Sequence, residues 1–194
     1  MAWTAIFDAN VVADGGSHTG TYSQTGAVDS TGADLLIIVA TWATVSGGSV
    51  TGVQDSKSNT WTALTAEVQS VNTVQMWYCK PSSVGSSHTF RCNASGTAFQ
   101  NIAAIGFSGS AASSPFDVED GAQSDSTDTL TGLTVTPSVS DCMIVTGVTR
   151  RDGLTLTAPT GFTLATQEDW AADNASVAIA YKEHTSGAIS PEWV

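Results

Sequence analysis

Val74-Gln75-Met76-Trp77-Tyr78-Cys79-Lys80 alternates its most apolar side chains at a period of two, and about one hundred residues later the chain returns to the pattern as Val177-Ala178-Ile179-Ala180-Tyr181-Lys182. A period of two belongs to a β-strand, whose successive side chains point to opposite faces. Val74, Met76 and Tyr78 share a parity with Val177, Ile179 and Tyr181, so that parity is expected to face inward. Trp77 falls on the other parity, where the second stretch carries Ala180. It is therefore expected to point outward, either as a contact residue or under the cover of a neighbouring loop.

Two further matches lie on either side in the same order. Asp34-Leu35-Leu36-Ile37-Ile38-Val39 resembles Asp141-Cys142-Met143-Ile144-Val145, and Asn59-Thr60-Trp61-Thr62-Ala63-Leu64 resembles Thr160-Gly161-Phe162-Thr163-Leu164. A glycine follows each copy, at Gly85 and Gly187. Two β units that each leave an apolar face uncovered close on one another as packed sheets. The fold class expected is all-β: a two-sheet antiparallel sandwich, jelly-roll-like, built from two pseudo-repeated halves. An immunoglobulin-like sandwich is the main rival, although one needs only about 100 residues. No Pro- or Ser-rich linker parts the halves, so residues 1–194 are expected to form one domain, with 1–30 as an extended arm or edge strands.

Helical periodicity is almost absent, and short β-rich runs between Gly, Ser, Asn and Asp recur throughout. Strands are expected near residues 3–12, 18–23, 35–44, 49–54, 61–64, 71–79, 88–93, 101–108, 129–136, 143–149, 154–157, 163–165 and 176–182. Residues 35–40 are apolar on both parities, which predicts a central strand covered on both sides.

Bulk chemistry removes several classes of function. Charged residues make up 12% of the chain and the net charge is −12, with six basic residues against eighteen acidic. Nucleic-acid binding needs clustered Lys and Arg to displace counterions, and Arg150-Arg151 is the one adjacent pair. No nucleic acid is expected as partner, and anionic membrane is disfavoured for the same reason. The start, Met1-Ala2-Trp3-Thr4, lacks a basic region followed by an apolar one, so no signal peptide is expected and synthesis is placed in a cytoplasm. Cys79, Cys92 and Cys142 do not fall at zinc-ligand spacing. Cys79 and Cys92 flank one predicted hairpin, and a reduced pair is favoured over a disulfide.

A search for reactive groups finds none. His18, His88 and His184 each lie among Ser, Thr or Gly and are expected to be solvated turn or strand-end residues. Gly106-Phe107-Ser108-Gly109-Ser110 has the wrong spacing for a nucleophile elbow. A glycosidase pair needs two carboxylates facing across a cleft, whereas most acids here sit in predicted turns. The acidic stretch 117–128 offers oxygen ligands for Ca²⁺ but lacks the EF-hand order, and a solvated loop is expected. Catalytic residues, metal ligands and cofactors are therefore all expected to be none. Of the six tryptophans, Trp42 and Trp61 read as core, while Trp3, Trp77 and Trp170 are the candidate binding or interface residues.

The series Ala33-Asp34-Leu35-Leu36-Ile37-Ile38-Val39, Asp55-Ser56-Lys57-Ser58-Asn59-Thr60-Trp61, Met76-Trp77-Tyr78, residues 85–90 and Phe107-Ser108-Gly109 resembles β-sandwich domains of tailed-phage virion structural proteins and bacterial extracellular proteins. The resemblance implies no catalytic residues. It implies a virion structural protein, most concretely a capsid decoration or cement protein that binds the assembled head. The partners implied are the major capsid protein or other virion proteins, with a homo-oligomer and a glycan as additional candidates. A carbohydrate- or receptor-binding tail protein is the alternative, and a glycan-active enzyme the second alternative. The location expected is the virion.

Overall fold

Residues Leu35–Ala43 carry apolar side chains on both parities, and such a strand is stable only where both of its faces are covered. In the computed structural model this strand lies inside a central antiparallel sheet, with a smaller sheet packed on each side. The structure describes residues 3–12, 22–43, 49–69, 72–96, 99–110, 113–123, 129–130, 133–150, 155–170 and 175–194, without side chains at 9–12, 99, 169, 170 and 175. The strands are β1 (Thr4–Val12), β2 (Tyr22–Gln24), β3 (Leu35–Ala43), β4 (Ser49–Asp55), β5 (Thr62–Ala63), β6 (Glu67–Gln69), β7 (Asn72–Cys79), β8 (Phe90–Ser95), β9 (Phe99–Ser108), β10 (Cys142–Arg150), β11 (Thr163–Trp170) and β12 (Ala175–His184).

The central sheet runs β1-β9-β3-β7-β5, with β6 also paired to β7. One face is covered by the sheet β2-β8-β4 and the other by β10-β12-β11. The fold is thus an all-β antiparallel sandwich, made of three sheets rather than two. Strand order is the same in β3-β7-β5 and β10-β12-β11, the strands that carry the matched segments. The first half also supplies β1, β9 and a whole further sheet, so a jelly roll of equivalent halves is not what the topology shows. Within the 1–30 segment, β1 and β2 are edge strands. Among the described residues of 129–136, Leu130 and Val135 form isolated bridges with Trp193 and Ile189 in place of the predicted strand, and residues 131–132 lie outside the description. The predicted strand at 154–157 is irregular over its described residues, and β6 was not foreseen.

Each layer boundary has its own core. Leu36, Ile38 and Ala40 of β3 meet Phe90 and Cys92 of β8 on one side. Leu35, Ile37 and Val39 meet Val177 and Ile179 of β12 on the other. Full burial of such side chains stabilises by roughly 1.5–3 kcal/mol each. A third cluster roofs the outer face of the β12 sheet, where Val148, Ala178 and Ala180 lie under Leu156, Phe162 and Trp193.

The close approach of β10 to the central sheet depends on Gly147. A Cβ added there would stand 2.5 Å from Val39 Cγ2 and 3.0 Å from Cγ1, and Val39 is itself fully buried and β-branched. Gly147→Ala is therefore expected to cost about 1–3 kcal/mol through overpacking. A lowered urea midpoint with unchanged far-ultraviolet dichroism checks this.

Candidate functional site

Two places in the fold gather functional groups. The first lies between the central sheet and β8. His88 stands at the entry to β8, and Asp55 ends β4. Ser30 opens the turn that leads toward β3. The Ser30 hydroxyl lies 2.7 Å from His88 Nδ1, and His88 Nε2 lies 3.2 Å from Asp55 Oδ1. A serine, a histidine and a carboxylate in series suggest a nucleophile with its base and orienting acid. Burial decides against that role, because Ser30, His88 and the Asp55 carboxylate have no exposed surface. A substrate carbonyl has no path to the serine.

These groups act as a clamp. Asp55 Oδ1 accepts from the backbone N–H of Lys57 (2.7 Å) and from the N–H and side-chain amide of Asn59 (3.3 Å each), and Oδ2 accepts from Trp61 Nε1 (2.8 Å). The bonds close a tight loop in which Ser58 takes a left-handed φ of 62°. Asn59 carries the link onward, its Oδ1 accepting from the N–H groups of Ser82 and Ser83. Gly85 N–H donates to Ser30 Oγ at 3.0 Å. The stretch Asp55-Ser56-Lys57-Ser58-Asn59-Thr60-Trp61 therefore ties three loops into one rigid end of the sandwich. Phe90, stacked on Phe7 and edge-on to Trp61, seals it from below, with the His88 ring 4.4 Å from its own.

The expectation of a solvated His88 is overturned. Burial depresses its pKa below the ordinary 6.5, although contact with Asp55 opposes the shift. An unfolded chain then takes up a proton on His88 before the folded one does, so stability present above pH 6.5 declines as pH falls through the depressed folded value. Urea midpoints are expected to drop from pH 7 to pH 5, with a shallower slope in His88→Gln. The carboxylates fall in a separate window. Asp29 and Asp117 are held low by hydrogen bonds from Thr31 and Ser138. Asp34 is raised by desolvation but pulled lower overall by Ser110 and Gly109. Their contribution is lost only below the usual carboxylate range.

The cysteines are free. Burial pushes Cys79 and Cys92 up to about 12, with the Asp55 charge adding to the shift at Cys79. A thiol reagent at pH 8 is expected to modify Cys142 alone in the folded protein and to reach Cys79 and Cys92 only on unfolding. Fast labelling of all three in the native state would contradict this burial.

The candidate aromatics separate. Trp77 is 5% exposed and belongs to the core beneath β8, which corrects the outward placement. The Trp77 parity of β7 is covered by the β2-β8-β4 sheet, whereas Val74, Met76 and Tyr78 on the other parity are half-buried. Trp3 is half-buried and edge-on to Phe107, with ring centroids 6.3 Å apart. Trp170 pairs with Ala175 through the backbone, and its side chain lies outside the described residues. Trp3 and Trp77 belong to different core clusters. The 117–128 stretch is described up to Gln123, and three of its carboxylates fasten loops. Asp117 accepts from Ser138, Glu119 from Thr65 and Asp120 from the Thr134 N–H. Among the described residues no group of three His, Cys, Asp or Glu is placed to hold a metal.

The second place is a cleft of about 1440 Å³ between the central sheet and β10. Val74, Met76 and Tyr78 of β7 form one wall, and Met143 and Val145 of β10 the other. Phe116 stacks on Tyr78 at 5.6 Å and closes one end. Sequence reasoning assigned these β7 residues to the inside and so passed over them. Their half-buried state is set by what β10 leaves uncovered, which no local pattern records.

Fold and cleft together define an all-β antiparallel sandwich with a rigid loop end and an apolar trough at one side. No family model, no curated protein and no solved structure matches the chain.

Proposed function

We propose that the chain is a non-catalytic structural protein of a virion, a decoration protein that binds the outside of assembled heads. The observation that carries the reading is the use made of Asp55-Ser56-Lys57-Ser58-Asn59-Thr60-Trp61. This segment, part of the resemblance to virion β-sandwiches, spends the Asp55 carboxylate, which faces the buried His88, on an internal clamp. Such a clamp supports stiffness, as a cementing protein requires. The low share of charged residues and the net charge of −12 suit a soluble protein that docks on a basic surface. The glycan-binding alternative is weakened by the burial of Trp77.

Binding to heads stabilises both partners by linkage, by about 2.7 kcal/mol at a hundredfold excess over Kd. Purified protein is expected to co-sediment with undecorated heads and to raise their rupture temperature. Failure to bind either heads or tails removes the proposal.

A further inference from the structure

The edges of the three sheets are not protected alike. An exposed strand edge invites pairing with another chain, and proteins blunt edges by shortness, bulges or charge. Among the described edge strands, β2 and β6 have three residues and β5 has two. Bulges interrupt β1 between Ala5 and Phe7, β4 between Val50 and Gly52, and β11 between Leu164 and Thr166. β10 has neither device. Its nine residues pair with β12 in unbroken register, from Cys142 opposite His184 to Arg150 opposite Ser176. Residues 142–149 carry no charged side chain. Among the described residues, nothing pairs with the other backbone edge of residues 143–149.

That edge opens on the apolar cleft. The volume, about 1440 Å³, exceeds the roughly 300–1,000 Å³ of small-molecule pockets, and the trough runs along a strand. Its charged lining is one-sided: Glu67, Asp117, Glu119, Asp120 and Asp141 against Arg150. Asp117, Glu119 and Asp120 are hydrogen-bonded to uncharged groups, so those bonds leave their negative charges in place.

We infer that β10 accepts an extended segment of a partner protein as an added strand, with alternate apolar side chains entering the cleft and Lys or Arg meeting the acidic rim. Main-chain hydrogen bonds hold such a segment and the pockets between alternate side chains select it. A second copy of this chain fits poorly, because edge-to-edge pairing would bring two acidic rims together in a protein of net charge −12. The inference goes beyond the proposed function, since it holds for any assembly that presents the segment.

The test uses the full chain and short peptides of alternating valine and threonine, ended by lysine in one series and by glutamate in the other. Hydrogen exchange of the β10 amides is followed by NMR at millimolar peptide. The lysine-ended peptide is expected to slow exchange of alternate β10 amides at least about tenfold. The effect should weaken with salt and be absent with the glutamate-ended peptide. Methylating alternate backbone nitrogens of the peptide should abolish protection in one set and spare it in the other, because an added strand donates from every second residue. No protection, equal protection by both charge series, or equal behaviour of the two methylated sets overturns the inference. So does slowed exchange at β10 that tracks self-association without peptide. Head binding without peptide protection defeats this inference alone, and the reverse defeats the decoration reading alone.

Discussion

Replacing Asp55 with alanine is expected to destabilise the protein by about 3–5 kcal/mol, the range for breaking a buried charge-bearing contact from one side. The carboxylate is fully buried and receives Trp61 Nε1, the Lys57 N–H and both donors of Asn59, while it faces His88 at 3.2 Å. Alanine takes the acceptor from the Lys57 and Asn59 N–H groups and from Trp61 Nε1, while Asn59 Nδ2 keeps Ser83 O, and each buried orphan costs about 1–3 kcal/mol. Asp55→Asn keeps one acceptor oxygen but turns an N–H₂ toward one set of donors, so an intermediate loss is expected. Ser30→Ala removes the acceptor of the Gly85 N–H and the partner of His88 Nδ1, and should cost less than Asp55→Ala. Urea denaturation of the three variants checks the order. A loss under about 1 kcal/mol for Asp55→Ala would show that the loop end holds without its clamp.

Trp193→Ala is expected to cost about 3–5 kcal/mol, as large-to-small changes of buried aromatics do. The side chain is 1% exposed and sits on Val148, Ala178 and Ala180, with Nε1 donating to Thr146 Oγ1 at 3.0 Å. Its backbone exchanges two hydrogen bonds with Leu130, and Val194 exchanges two with Thr157. Trp193→Phe restores most of the volume but not the bond to Thr146, so about 1–2 kcal/mol should remain lost. Calorimetric midpoints separate the two variants. Equal midpoints for Trp193→Ala and the unaltered protein would mean that the outer face of β12 needs no roof.

The strands were legible where alternation is strong. The stretches that became β3, β7, β9, β10 and β12 were all foreseen, because Val, Ile and aromatic residues at a period of two fit a pleated surface. Apolar residues on both parities of β3 correctly announced a strand covered on each side. They could not announce that two different sheets do the covering, since the covering residues come from β8 and β12, far along the chain. Trp77 was misplaced for the same reason. Alternation says that two residues point opposite ways, but which way is drier depends on the neighbouring layer. His88 was missed because its neighbours in sequence are Ser and Thr, while its partners, Ser30 and Asp55, are distant in the chain. The acidic 117–128 stretch reads as a solvated loop because it lacks the EF-hand order, and residues 117–120 are exposed. The sequence does not show that their carboxylates fasten loops whose N–H groups arrive from elsewhere.

The position of β9 sets an order on how this protein is made. β9 lies between β1 and β3, so β1 has no sheet partner among the described strands until Phe99–Ser108 has followed it. Closing a span of that length is slow relative to forming a local hairpin. During the wait β3 can pair with β7, but its other edge stays open, and that edge belongs to the most apolar strand of the chain. A translational pause before residue 99 should therefore raise the yield of insoluble product, and one placed after residue 108 should spare it.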